Sequence, residues 1–178
     1  MEESIQKLLD LGAGEFEHLH DSLLLHLQGT KELLKKWGAS EALQNAGLYH
    51  AIYSTDSYSK QLASLDKRKR IADIIGSEAE NIVYEYCACD RKFFWPKIGF
   101  DEKPLFKNRF TNETYYISKT LLMNLCELTA ANEIEIAGKD KDFKDQHGAY
   151  FNNFFTNMEY YLSDSANAMV RETFGHYT

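Results

Sequence analysis

The sequence predicts a single all-α domain over residues 1–178. Three observations support this fold class. Apolar residues recur every three or four positions over most of the chain, which places them on one face of an α-helix. The two prolines, Pro96 and Pro104, lie in one short region and leave long stretches free to form helices. Glycines and capping residues interrupt the apolar pattern at intervals that suit helices of ordinary length.

The first part of the chain is predicted to hold three helices. A short amphipathic helix is expected over residues 3–11, where two nearby glycines end it. Leucines at helical spacing predict a second helix over residues 22–37. A third helix is expected over residues 41–52, because Ser40 is a good N-cap and Glu41 suits the first turn.

The middle of the chain changes character twice. Residues 53–64 are polar and predict a loop, and a helix is expected over residues 66–75. The sequence "SEAE" has the form of a capping box, with Ser77 as the cap and Glu80 as its acid, and predicts a helix to Asp90.

The last part begins with an irregular aromatic segment, residues 91–114. We expect it to be an ordered loop with a short hairpin that covers the functional site, because it is too aromatic to be disordered. A long helix is predicted over residues 116–137, and two further helices over residues 143–162 and 164–174.

Composition excludes several classes of protein. The net charge of −7 opposes binding to nucleic acid, and the basic run at residues 67–70 is expected to be a solvated helix face. The first residues do not resemble a secretory signal, and no apolar run has transmembrane length. The three cysteines, Cys87, Cys89 and Cys126, are too few for a disulfide framework. Free thiols and a cytoplasmic location are therefore expected, with no membrane partner.

Several polar side chains interrupt apolar helical stretches, for instance in "LLLHLQGT" and "LTAANEIEI". A buried polar group without a partner costs about 1–3 kcal/mol, so groups on different helices are expected to satisfy one another. Taken alone, a histidine on a helix, or Asn132, more often forms an ordinary hydrogen bond in the core than binds a metal. We predict that the helices carrying His26, His50 and Asn132 meet. The candidates are His20, His26, His50, Asp90, Asn132 and Glu133.

Residues 26–53 resemble the opening of an HD-domain protein. In that superfamily an early His, a His-Asp pair and a late Asp hold one or two divalent metals. His26 matches the early His, His50 matches the His of the pair, and Asn132 aligns with the late motif. The likeness extends distantly to phosphohydrolases of the guanosine tetraphosphate hydrolase type. Over residues 16–137 the chain is similar to an uncharacterised HD-like family that shares H-x5-H, W-G-A, A-G-L-x-H and A-N-x-x-E.

Two departures from the HD pattern remove negative charge from the implied site. Ala51 stands where the pair has its Asp, and Asn132 stands where the late Asp is expected. The resemblance therefore implies a nitrogen-rich site for Fe, Zn or Mn rather than the usual site for a hard dication. The metal ligands would be His20, His26 and His50, with His20 approaching from a loop before its helix. Glu133 and Glu135 are alternative sources of a carboxylate.

Three functions are compatible with these residues. The first is a small-molecule enzyme with a single transition metal, a hydrolase or an oxygenase, in which His26, His50 and Asn132 are catalytic. The second is a metal-free isomerase, cyclase or lyase in which His26 and His50 act as acid and base. The third is a degenerate HD domain that only binds a ligand. The aromatic segment favours an organic, partly apolar small molecule as the partner.

Overall fold

The computed structural model describes residues 20–178, and their side chains from residue 23 onward. The first described helix, α1, spans His20–Lys36 and ends before Gly38, whose positive φ of 76° suits glycine. The second, α2, spans Glu41–Tyr49. The predicted cap is confirmed, since the Ser40 side chain accepts a hydrogen bond from the Leu43 amide. The helix predicted over residues 3–11 lies outside the described residues.

Two helices follow the polar loop. A 3₁₀ turn, Leu65–Lys67, leads into α3, Arg68–Ile75, and α4 spans Ser77–Ala88. The predicted capping box is wrong, because Gly76 is the N-cap residue and no side chain caps this helix.

Glu80, the acid of that predicted capping box, is buried and serves a tertiary contact instead. It accepts hydrogen bonds from the Arg68 guanidinium, at 2.7 and 2.8 Å, and from the Tyr53 hydroxyl. A buried carboxylate is stabilised more by a guanidinium than by one backbone amide. Glu80 therefore binds Arg68 rather than capping its own helix.

The aromatic segment is more regular than a loop. It contains helix α5, Arg91–Phe94, a 3₁₀ turn, Trp95–Lys97, and the predicted short hairpin. The hairpin strands are β1, Leu105–Lys107, and β2, Thr114–Tyr116, and they pair antiparallel.

The last three helices form the other half of the molecule. Helix α6 spans Lys119–Lys139, α7 spans Lys141–Met158, and α8 spans Asp164–Phe174 after a 3₁₀ turn at Glu159–Tyr161. Side chains cap all three helices, each accepting from an amide in the first turn; the capping residues are Ser118, Asp140 and Ser163.

Helix α6 is the centre of the fold. Its buried residues lie on all sides rather than on one stripe, as expected of a helix that neighbours surround. It packs against α1, α2, α4, α7 and α8. The all-α prediction is confirmed, since the described part contains eight α-helices and a single two-stranded sheet. Several polar side chains of α6 are buried in this packing, and most of them face the site described next.

Candidate functional site

His26 is held by a carboxylate of the central helix. It lies on α1 with its side chain 17% exposed, and its Nδ1 contacts Oε2 of the buried Glu135 on α6. The other oxygen of Glu135 contacts the ammonium group of Lys139. Gly29, one turn after His26, makes room for this arrangement, because a Cβ there would lie 2.5 Å from Glu135 Oε1. The missing side chain lets α1 approach α6 closely.

His50 lies at the C-terminal end of α2 and is almost completely buried. The helix ends at Tyr49 rather than at the predicted Ile52, so His50 is its C-cap residue. Its Nδ1 donates to the Gly47 carbonyl at 2.8 Å, which leaves Nε2 directed at His26. Burial lowers the pKa of His50 to about 3, and the electrostatic effect of the nearby His26 is the second cause. The ring is therefore neutral, with a lone pair on Nε2.

Asn132 on α6 completes the cluster. Its Nδ2 donates to Glu133 Oε1 at 3.0 Å, and this bond fixes which amide atom faces the histidines. Its Oδ1 lies 3.1 Å from His26 Nε2, and the Nε2 atoms of His26 and His50 lie 3.2 Å apart. The predicted meeting of these three helices is confirmed.

The three atoms that converge are all acceptors when the rings are neutral. Both Nδ1 atoms donate outward, to Glu135 and to the Gly47 carbonyl, so each Nε2 carries a lone pair. Together with the Asn132 carbonyl oxygen they would repel one another unless a cation lies among them. A proton on His26 Nε2 would remove this repulsion, and so would a metal ion. In the described residues, no group of three or more His, Cys, Asp or Glu side chains is arranged to hold a metal.

A second charged pair lies beside the cluster. The Arg91 side chain is 16% exposed, and its Nη1 lies 3.9 Å from Oε1 of Glu133, which is longer than a hydrogen bond. The guanidinium also lies 5.1 Å from the centroid of the Tyr86 ring, and that ring packs edge-on against His50. Burial raises the pKa of Glu133. Arg91 and Glu133 therefore extend the polar centre along one wall of a cavity.

The cavity has a volume of about 870 Å³ and opens over the cluster. His26, His50 and Asn132 form its polar floor, and Ala51 also lines it. The predicted covering role of the aromatic segment is confirmed for its first half, which supplies part of the wall. Helix α7 supplies most of the other aromatic residues, and Tyr58 of the polar loop also lines the cavity. The wall residues are Trp95, Pro96, Phe100, Phe143, Tyr150, Phe151 and Phe154.

Two other candidates have a different outcome. His20 is the first residue of α1, so the prediction that it approaches from a preceding loop is wrong, because the helix already begins there. Its side chain lies outside the described part. Asp90 is not at the site: it caps α5 through the Phe93 amide and pairs with Lys107 at 3.0 Å. The cysteines are buried and free, as predicted.

Sequence reasoning did not place Arg91 at the site and did not identify the role of Glu135. The sequence marks Glu135 only as an alternative carboxylate, and its distance of three residues from Asn132 is the signal that puts both on one helix face. For Arg91 the sequence offers no such signal, because only the packing of α5 on the cavity brings it to Glu133.

A family model matches the N-terminal part of the chain. The model of a family described as a domain of unknown function (DUF6817) matches residues 7–91, just under half of the chain. This match includes His26 and His50 but ends before α6, so Asn132 and Glu135 lie outside it. Searches of curated proteins and of solved structures found no match. Among residues 20–178, no helix has the length and apolar character needed to cross a membrane.

Proposed function

We propose that the chain is a small-molecule enzyme of HD-like fold with one transition-metal centre at His26, His50 and Asn132. The observation that carries the proposal is the convergence of two imidazole Nε2 atoms and one amide oxygen within 3.1–3.2 Å. A divalent ion would remove the repulsion among these three lone pairs. The HD-like resemblance supports the assignment, since it aligns these positions with metal ligands.

The donor set suits a borderline ion such as Fe, Zn or Mn. Imidazole nitrogens favour such metals, and a neutral amide oxygen adds a weaker ligand without charge. Glu135 and the Gly47 carbonyl would orient the two rings in the way that outer-shell acceptors orient metal-bound histidines. A further ligand could come from water or from substrate. When bound, the ion would polarise a substrate or activate a water molecule.

The residues of the chain have separate roles in this proposal. His26, His50 and Asn132 hold the ion, Glu135 fixes the ring of His26, and the aromatic wall excludes water from the cavity. The identity of the metal separates the two reaction types: zinc has no redox chemistry and favours a hydrolase, whereas iron permits an oxygenase.

The second candidate is a metal-free acid–base enzyme such as an isomerase, cyclase or lyase. It is favoured by the lack of a third His, Cys, Asp or Glu ligand among the described residues. A proton on His26 Nε2 would make His26 an imidazolium, paired with Glu135 and hydrogen-bonded to His50 and Asn132. A domain that only binds a ligand would use the same cavity without a reaction.

Metal content distinguishes these candidates. Purified protein is loaded separately with Fe, Zn and Mn, freed of unbound ion and analysed for its elements. We expect about one ion per chain in the wild type and a loss of at least tenfold in affinity for His26→Ala and His50→Ala. His147→Ala is the matched control, since His147 lines the cavity but contacts Phe143 and Phe151 rather than the cluster.

Two results would contradict the metal proposal. Equal metal content in all four proteins would show that the ion binds elsewhere. A wild type that takes up none of the three metals would leave the acid–base enzyme or the ligand-binding domain. Thermal unfolding of each variant checks that a loss of metal does not simply reflect a loss of folding.

A further inference from the structure

We propose that the cavity takes an apolar organic monocarboxylate, whose carboxylate binds Arg91 and whose apolar body lies against the aromatic wall. This inference deepens the proposed function, on which it rests for the assumption that the cavity receives a substrate. It names the chemical class of that substrate from charge and contact geometry.

Arg91 has hydrogen-bonding capacity to spare. A guanidinium carries five N–H donors, and its fork matches the two oxygens of one carboxylate. The only carboxylate of the described residues within ion-pair distance is Glu133, at 3.9 Å. That distance is too long for a hydrogen bond. A largely buried cation with such a loose internal partner can therefore bind a second, better aligned anion.

The charges around Arg91 suit an anion with a single negative charge. Lys92 also lines the cavity and adds a second cation, whereas Glu133 adds one negative charge beside Arg91. A carboxylate on Arg91 leaves these charges balanced. A dianion such as a phosphate monoester would be opposed by the carboxylate of Glu133, so these three side chains favour a carboxylate.

The wall of the cavity suits an apolar body. Tyr150 and Phe154 stack with ring centroids 5.6 Å apart, and Trp95 packs edge-on against Phe154. Two aromatic rings that line the cavity remain exposed, Phe100 at 73% and Tyr150 at 61%. Large exposed aromatic groups around a cavity mark a surface that gains free energy when an apolar ligand covers it.

The two halves of this site place a ligand beside the reacting centre. The buried Tyr86 ring contacts both Arg91 and His50: its centroid lies 5.1 Å from the Arg91 guanidinium and 5.7 Å from the centroid of the His50 ring. A carboxylate on Arg91 therefore anchors one end of the molecule, and its adjoining atoms enter the part of the cavity floored by His26, His50 and Asn132. Arg91 acts in this proposal as a binding and positioning residue.

The test compares 4-phenylbutyrate with its neutral amide, 4-phenylbutyramide. Dissociation constants are measured by ligand-observed NMR on the full chain, as purified and again after chelator treatment. We expect the wild type to bind the acid at least tenfold more tightly than the amide in both preparations. Equal affinities, or tighter binding of phenyl phosphate than of the acid, would overturn the proposal.

Substitutions on both sides of the ion pair make the test specific. Arg91→Gln should weaken binding of the acid about tenfold and leave the amide unchanged. Glu133→Gln should strengthen binding of the acid severalfold, because Arg91 loses its internal competitor. If Arg91 and Glu133 form only a structural ion pair, neither substitution should change the affinity for the acid relative to the amide. Unchanged relative affinities would overturn the proposal, and Glu133→Gln gives this result even where Arg91→Gln folds poorly. Arg70→Gln, a change on the exposed face of α3, is the control.

This experiment can fail independently of the metal experiment. If the protein binds one metal ion but binds acid and amide equally, the proposed function stands and the carboxylate proposal fails. If the protein binds no metal but prefers the acid over the amide in an Arg91-dependent way, the carboxylate proposal stands and the metal proposal fails. His26→Ala is expected to keep the acid preference, because His26 does not contact Arg91.

Discussion

At the scale of single residues, Gly29 sets the distance between His26 and its carboxylate. Added to Gly29, a Cβ would meet three atoms of the Glu135 side chain, the nearest at 2.5 Å. Because these atoms belong to a flexible side chain, Glu135 rather than the backbone would shift. The loss of His26 orientation should then outweigh any gain in helix propensity.

Gly29→Ala is expected to weaken metal binding about 10–100-fold, as losing an outer-shell partner does. Alanine normally stabilises a helix by about 1 kcal/mol relative to glycine, and this gain should be reduced or reversed here. Metal affinity and denaturant unfolding measure the two effects. Gly138→Ala on α6 is the control, since nothing lies within 4 Å of its Cβ. The two variants behaving alike in both measurements would contradict this role of Gly29.

At the scale of elements, Asp90 joins α5 to the hairpin. Its side chain accepts from the Phe93 amide at 3.1 Å and pairs with Lys107 of β1 at 3.0 Å. The hydrogen bond from Lys107, with the Phe93 amide as a further cause, lowers the pKa of Asp90. The same short segment carries Arg91, so the cap also helps to place Arg91 at the cavity.

The lowered pKa gives a pH dependence with a definite sign. The folded state binds the Asp90 proton less tightly than the unfolded chain does, so ionised Asp90 stabilises the fold above the unfolded pKa of about 3.9. This stabilisation is lost as the pH falls through the lowered pKa.

Asp90→Asn keeps an acceptor for Phe93 but cannot pair with Lys107. We expect a loss of about 0.5–1 kcal/mol near neutral pH, as for a partly exposed ion pair, and no difference from the wild type in acid. Urea unfolding across this pH range measures the effect. Asp73→Asn is the control, because Asp73 is exposed and forms no ion pair with the described residues. A pH-independent deficit would assign the effect to the cap alone.

At the scale of the whole molecule, α6 connects every large helix that borders the site. It packs against α1 and α2, which carry the histidines, and against α7, which carries half of the aromatic wall. Loss of α6 packing would therefore separate the cluster and open the cavity in one event. The described part of the chain, residues 20–178, is therefore expected to unfold as one cooperative unit.

The two tryptophans provide the test of cooperativity. Trp37 follows α1, and Trp95 lies in the cavity wall. In Trp95→Phe the fluorescence reports on Trp37 alone, and its urea midpoint should coincide with that of the helical circular dichroism signal. The wild type should show the same agreement between its two signals. Separate midpoints within one protein would indicate two units and contradict the single domain.

Much of the fold follows from local sequence. The described helices α1, α6 and α8 lie close to their predicted bounds, and Ser40 caps α2 as expected. The capping box predicted at Ser77 was wrong because Glu80 instead forms an ion pair with Arg68, which lies on the preceding helix. The predicted end of α2 at Ile52 was wrong because the apolar run continues past Tyr49 into a buried turn. Both errors arise where a tertiary contact outweighs a local preference.

For the site, the sequence by itself determined which side chains needed partners: His26, His50 and Asn132 are polar groups in apolar helical stretches, and burial makes unpaired polar groups costly. Only the tertiary structure decided which atoms meet. Gly29 admits Glu135 to His26, the end of α2 turns His50 inward, and α5 brings Arg91 to Glu133. Periodicity records the face of a helix that is buried, whereas the pairing of buried groups depends on how helices distant in sequence cross.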